Sequence, residues 1–298
     1  MSIQEQYDIF YSFFKSTTEP FDEFQWDGSS LNVILNEKII EKFSYSDLKE
    51  LITNLWYLKY QEHNFDERPF IITAEQIKQA TAHFNKTNEK EVRILCKQDS
   101  REDRPQVFID NDVFLLPTRN GEYAIVKGEG YVDIPDIDTS VKIYTSKLDF
   151  SPDTSRVGNS EMQHLDFAYA VSLVRTFLED DSLVLTIRGR KYTPRFTFNV
   201  RKHVITAESV QTEVDAGYEG RNQVVLIEAK NSKTNNTIIR QLYYPFRQWQ
   251  YYTKKKVKTL FFEKRNGNYL LWQFEFQDEN DYNSIALTKS QRFEIISG

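Results

Sequence analysis

Apolar residues in this chain fall into two periods, and the changes between them mark its elements. Residues 4–15 have helical spacing, followed by short aromatic-rich strand patterns at 21–26 and 31–35. Leu48, Leu51, Ile52, Leu55 and Leu58 share one helical stripe, capped by Ser44 or Ser46. Thr73 and Gln76 have the spacing of a capping box and open a second helix that runs to Phe84. Residues 107–109, 113–116 and the segment after Asn120-Gly121 predict short strands around turns. Two helices followed by strands suggest an α+β, winged-helix-like module of the kind that reads DNA. The same order is frequent in other α+β domains, so the pattern alone does not choose.

Glycines and prolines cluster from Gly128 to Gly158, which places a domain boundary near residue 150. The expected units are an N-terminal α+β domain over 1–150 and a second domain over 151–298. Ser160-Glu-Met-Gln163 opens a helix whose stripe runs Met162, Leu165, Tyr169, Leu173 and Phe177. A strand at 183–187 leads into a basic loop, 188–195. Two apolar strands, 210–216 and 223–230, are expected to pair antiparallel through a turn at 217–222. A helix over 238–252 contains Pro245, which must kink or split it. Asn266-Gly267 then turns one strand into another at 269–276, as a hairpin.

At 298 residues and 35.3 kDa, with 40% hydrophobic residues, the chain can bury a sizeable core. No run has the roughly 18 apolar residues of a membrane span, and the N-terminus lacks a signal-peptide pattern. A cytoplasmic protein with no membrane partner is expected. The single Cys96 excludes an internal disulfide and a cysteine-rich zinc site, and the four histidines show no ligand spacing. The net charge of -6 is unevenly spread. Residues 188–265 carry 17 Lys/Arg against 6 Asp/Glu, and the rest carries 21 against 38. Such asymmetry is the footprint of a polyanion partner, although an acidic domain balancing a solvated surface would give the same count.

Three of those six acids are Glu213, Asp215 and Glu228. Glu228 and Lys230, two apart at the end of a strand, project to the same face. With the neighbouring strand antiparallel, Asp215 lies within reach of Glu228. Two carboxylates beside one lysine suit Mg²⁺, which is usually held by one or two carboxylates together with water and substrate phosphate. Glu-x-Lys by itself is common on solvated strand ends, so its meaning depends on what surrounds it.

Those surroundings carry a resemblance. Asp215, then Glu228-Ala229-Lys230 closing the run 224–227, resembles the signature of the PD-(D/E)XK nuclease superfamily, with Val214 where the name has proline. The following segment, 231–249, is similar to one found in bacterial type II restriction endonucleases. The resemblance covers roughly residues 155–265. It implies a mixed α/β sheet flanked by helices and a Mg²⁺-dependent DNA endonuclease, most simply a homodimer cutting both strands of a palindromic duplex site.

By the same resemblance Asp215 and Glu228 hold the metal, the Ala229 carbonyl completes the set, and Lys230 positions the attacking water. Glu161 is either a further metal-site carboxylate or a first-turn acid facing its helix dipole. Arg188, Arg190, Lys191, Arg240, Gln241 and Arg247 are the DNA-contact candidates. Tyr243 and Tyr244 either hold the lysine and the DNA backbone or belong to the core. A repair or recombination nuclease of the same fold, a non-catalytic DNA-binding regulator and an RNA substrate remain as alternatives.

Overall fold

The computed structural model describes residues 63–82 and 90–296, together with the backbone of three strands nearer the N-terminus. Those strands, β1 (Glu23–Trp26), β2 (Ser30–Leu35) and β3 (Lys38–Ser44), form an antiparallel sheet. The helices expected at 4–15 and beyond Ser44 lie outside the described residues, and the winged-helix reading goes with the second of them.

Next come β4 (Phe70–Thr73), α1 (Ala74–Ala80), α2 (Val92–Leu95), α3 (Gln106–Asp110), β5 (Val113–Arg119) and β6 (Glu122–Lys127). The strands form a sheet in the order β4-β6-β5. The capping box of α1 is complete: the Gln76 NH donates to the Thr73 hydroxyl at 3.2 Å and the Thr73 NH donates to Gln76 Oε1 at 2.9 Å. Residues 107–109, expected as a strand, are helical. Pro105 sets the entry, its carbonyl accepts the Phe108 and Ile109 NH groups, and Phe108 buries its ring.

The C-terminal part contains β7 (Tyr131–Asp133), β8 (Lys142–Thr145), α4 (Glu161–Ala170), α5 (Leu173–Leu178), β9 (Val184–Tyr192), β10 (Phe196–Val200) and β11 (His203–Ala207). It continues with β12 (Gln211–Glu219), β13 (Gln223–Lys230), β14 (Asn236–Ile238), α6 (Arg240–Tyr252), β15 (Lys256–Arg265), β16 (Asn268–Phe276) and β17 (Ile285–Ile296). Seven strands make one sheet in the order β8-β17-β16-β15-β13-β12-β9. Its pairs are antiparallel except β13 with β15 and β17 with β8. The result is a mixed α/β architecture around a mostly antiparallel sheet. Although they precede the boundary expected near 150, β7 pairs with β14 and β8 with β17.

A parallel pair needs a long crossover, and α6 supplies it between β13 and β15. Helices α4 and α5 cover one face of the sheet, where Leu165, Leu173 and Phe177 meet Val225, Ile227 and Phe262. On the other face Tyr243, Tyr244 and Phe246 of α6 meet Val224, Leu226 and the hairpin residues Phe196 and Phe198. Strand β13 is therefore buried on both sides, which is why its sequence is a continuous apolar run instead of an alternating one.

Several expected boundaries move for tertiary reasons. The helix from Ser160 is two helices, separated where Ser172 turns left-handed (φ 67°). Strand β9 runs to Tyr192 because β12 continues to pair with it, so Arg188, Arg190 and Lys191 lie on an edge strand and not in a loop. The turn between β12 and β13 shrinks to 220–222, since Gly217, Tyr218 and Glu219 find partners in Leu226, Val225 and Val224. Helix α6 starts at Arg240, after Thr237 and Ile238 have paired with β7. Pro245 does not split it: the proline forgoes a single NH bond between the buried Tyr244 and Phe246. Asn266 and Gly267 (φ 49° and 78°) make the tight turn between β15 and β16.

Candidate active site

The backbone ladder between β12 and β13 ends at Ala216–Ile227, so one further step places Asp215 opposite Glu228. At that point β12 carries an irregularity in its pairing with β9, between Val214 and Gly217. Its effect shows in the packing. Thr212 and Val214 face α6, whereas Ala216 and Tyr218, of the same parity, pack toward α4 and α5. The bulge switches the strand's face and leaves Asp215 where the switch occurs. Gly217 permits it, because a Cβ there would lie 2.6 Å from that of Ile187 on β9.

The Asp215 carboxylate accepts the Ala229 NH at 2.8 Å, replacing the backbone bond that the ladder no longer makes. Lys230 reaches back along its strand and donates to Glu228 at 2.6 Å. The side chains of Glu228 and Lys230 are 11% and 25% exposed, so both charges are largely out of water. Burial pushes Glu228 up to about 7; the Lys230 ammonium opposes this and Asp215 adds to it. Burial likewise raises Asp215, against the pull of the Ala229 NH. Burial disfavours the Lys230 charge as well, but Glu228 beside it prevails and holds the ammonium above the ordinary lysine value. Two carboxylates that resist ionisation and one lysine that keeps its proton make a site short of positive charge.

Glu161 opens α4, and its negative charge adds a smaller push to the raising of both Asp215 and Lys230. Ser160 caps the helix through the Gln163 NH, but the Gln163 side chain does not close the box and turns instead to the carbonyls of Thr154, Ser155 and Val157. Arg188 is held in a fork by Asp166 of α4, and Arg190 pairs with Glu213 at 3.2 Å. Lys191 is exposed on β9.

On α6, Arg240 pairs with Asp99 at 3.7 Å and Gln241 accepts the Thr237 hydroxyl at 2.7 Å. Arg247 is used internally: its guanidinium donates to Tyr243 and to the Glu279 and Thr197 carbonyls, and lies 5.1 Å from the Phe196 ring centroid. Tyr243 and Tyr244 are buried core residues that donate to the carbonyls of Glu279 and Pro117. The structure thus brings Asp215, Glu228, Ala229 and Lys230 together, with Glu161 acting on them through its charge, and sets Arg247 apart.

Two acids near the site escape sequence reasoning. Glu263 is the register partner of Lys230 on β15, has no exposed surface, and accepts the Thr234 NH at 2.8 Å, thereby fixing the chain that leaves the lysine. The only sequence signal for it is an acid closing the apolar run 260–262. Asp99 raises Glu228 from a distant part of the chain, and nothing in the sequence links the two.

Among the described residues no three His, Cys, Asp or Glu side chains cluster as a metal cage. The donors present are two carboxylates with the Ala229 carbonyl on the same strand edge. That set does not suit a closed zinc or calcium site, but it fits Mg²⁺, which keeps most of its waters and takes the rest of its shell from phosphate.

Residues 126–294, more than half of the chain, match the family described as "Domain of unknown function (DUF6997)", and the chain belongs to it. Residues 49–125 match a second, described as "Domain of unknown function (DUF6996)". The two matches meet inside β6. No curated protein and no solved structure matches the chain. Among the described residues no helix is long and apolar enough to cross a membrane.

Proposed function

We propose that this protein is a Mg²⁺-dependent DNA endonuclease with a restriction-endonuclease-like core, working as a type II site-specific enzyme. The observation that carries the reading is the meeting of Asp215, Glu228 and Lys230 at the bulged end of the β12–β13 pair. The element order α4, β9, β12, β13, α6, β15 supports it, as do the positive balance of residues 188–265 and the basic edge strand β9.

Asp215 and Glu228 would hold the ion, with the Ala229 carbonyl directed to the same edge as the Ala229 NH that fixes Asp215. When bound, Mg²⁺ acidifies the attacking water and offsets charge on the phosphate. Lys230 orients that water from the face it shares with Glu228. Lys191, with Arg188 and Arg190 behind it, binds backbone phosphates along β9 and fixes the duplex without reading its sequence. Cutting both strands of a two-fold symmetric site calls for two copies of the chain.

The test is incubation of the purified protein with phage DNA and Mg²⁺. Discrete fragments are expected, with Asp215→Ala inactive yet still bound to DNA in Ca²⁺. Cleavage that follows forks or ends instead of sequence would move the protein to a structure-recognising repair class. Absence of cleavage on every DNA form would refute the reading.

A further inference from the structure

A cleft of about 410 Å³ opens beside the site, between the start of α4, the turn that follows Lys230 and the β15–β16 hairpin. Its walls are Asn159, His164, Asn231, Ser232, Lys233 and the hairpin segment 264–267. No carboxylate and no aliphatic side chain lines it, so it offers hydrogen-bond donors and positive charge and excludes an apolar ligand.

The decisive group is Lys264. Its ammonium donates to the Gly267 carbonyl at 2.5 Å and sits 3.9 Å from the Tyr269 ring centroid. Among the described residues no carboxylate pairs with it, and burial alone pushes it below the ordinary lysine value. A partly buried cation without an anion is costly, and binding one would repay that cost. Lys233 and Arg265 are different: both pair with Asp136, at 2.9 and 2.8 Å, which offsets part of their charge.

The cleft is tied to the catalytic strand. Asn231, next to Lys230, donates to the Asn159 carbonyl at 2.8 Å, and Asn159 lies two residues before Glu161. A phosphate held here would neighbour one held at Lys230.

We propose that this cleft is a phosphate subsite, which takes the backbone phosphate adjoining the one being cleaved. The position relative to a cleaved phosphate rests on the nuclease reading; the anion site does not.

The experiment titrates the full-length protein, at low salt and without Mg²⁺, with the 5′-phosphorylated dinucleotide pdTdT and with dTdT, followed by calorimetry. Wild type and Asp215→Ala are expected to bind pdTdT at least about tenfold more tightly than dTdT, with Lys264→Gln losing most of that preference and keeping its thermal midpoint. Should Lys264→Gln fold poorly, Lys264→Met, which keeps most of the length of the side chain without its charge, carries the same expectation. Equal binding of the two dinucleotides, or a preference that survives the lysine substitution, overturns the subsite even if the protein cleaves DNA. A phosphate preference in a protein that cleaves no nucleic acid overturns only the placement beside a scissile phosphate.

Discussion

Replacing Glu228 by glutamine measures what it costs to keep a carboxylate in this site. In the folded protein burial raises Glu228 from its ordinary 4.5 to about 7. A folded value above the unfolded one means that its contribution to stability is fully present below about pH 4.5 and is lost as pH rises through about 7. The separation of the two values is worth roughly 3 kcal/mol, which the wild type forfeits once Glu228 is ionised. Glutamine has the same shape and does not titrate. The stability of wild type relative to Glu228→Gln should therefore fall by roughly 2 to 3 kcal/mol between about pH 5 and pH 8, with Lys230 charged throughout. Urea unfolding in EDTA across that range gives the difference directly, provided the denaturant slope is common to both proteins. Mg²⁺ at about pH 8 should then restore stability to wild type and not to the variant, since the ion binds the charged carboxylate. A difference that stays flat across the pH range would show that the Glu228 carboxylate is not strained by burial, and the electrostatic account of the site would be wrong.

Lys230→Arg should be nearly as inactive as Lys230→Ala in single-turnover cleavage at saturating enzyme, because a planar guanidinium cannot reproduce the geometry of one mobile ammonium; retention of most of the wild-type rate would reduce the lysine to an electrostatic neighbour. Lys191→Ala should weaken specific and random DNA alike and lower the salt slope by about one, and an unchanged slope would remove β9 from the interface. Gly217→Ala places a Cβ 2.6 Å from that of Ile187 at the bulge, so it should destabilise the fold by about 1 to 3 kcal/mol in urea unfolding. Unchanged stability there would mean that β9 and β12 can part without cost.

What the chain determined by itself were the features written in contiguous residues. The apolar run 224–227 ending in Glu228-Ala-Lys230, the Asn266-Gly267 hairpin and the Thr73 cap are local, because period, left-handed turn and cap each depend on neighbours a few residues away. The same locality put Glu228 and Lys230 on one face and gave residues 188–265 their positive charge. Other features were decided only by long-range pairing. The extension of β9 through Lys191 depends on β12, and the splitting of the helix after Ser160 on a left-handed residue with no local signal. Helix at 107–109 followed Pro105 and the burial of Phe108 against residues the strand pattern could not count. Site geometry lies furthest from sequence. The bulge that turns Asp215 toward Glu228 exists because β12 must satisfy β9 and β13 at once, and Glu263 and Asp99 reach the site by strand register and chain return. Sequence names the chemical groups; only the closed set of contacts across the sheet sets their separation and their burial, and hence the charge they can hold.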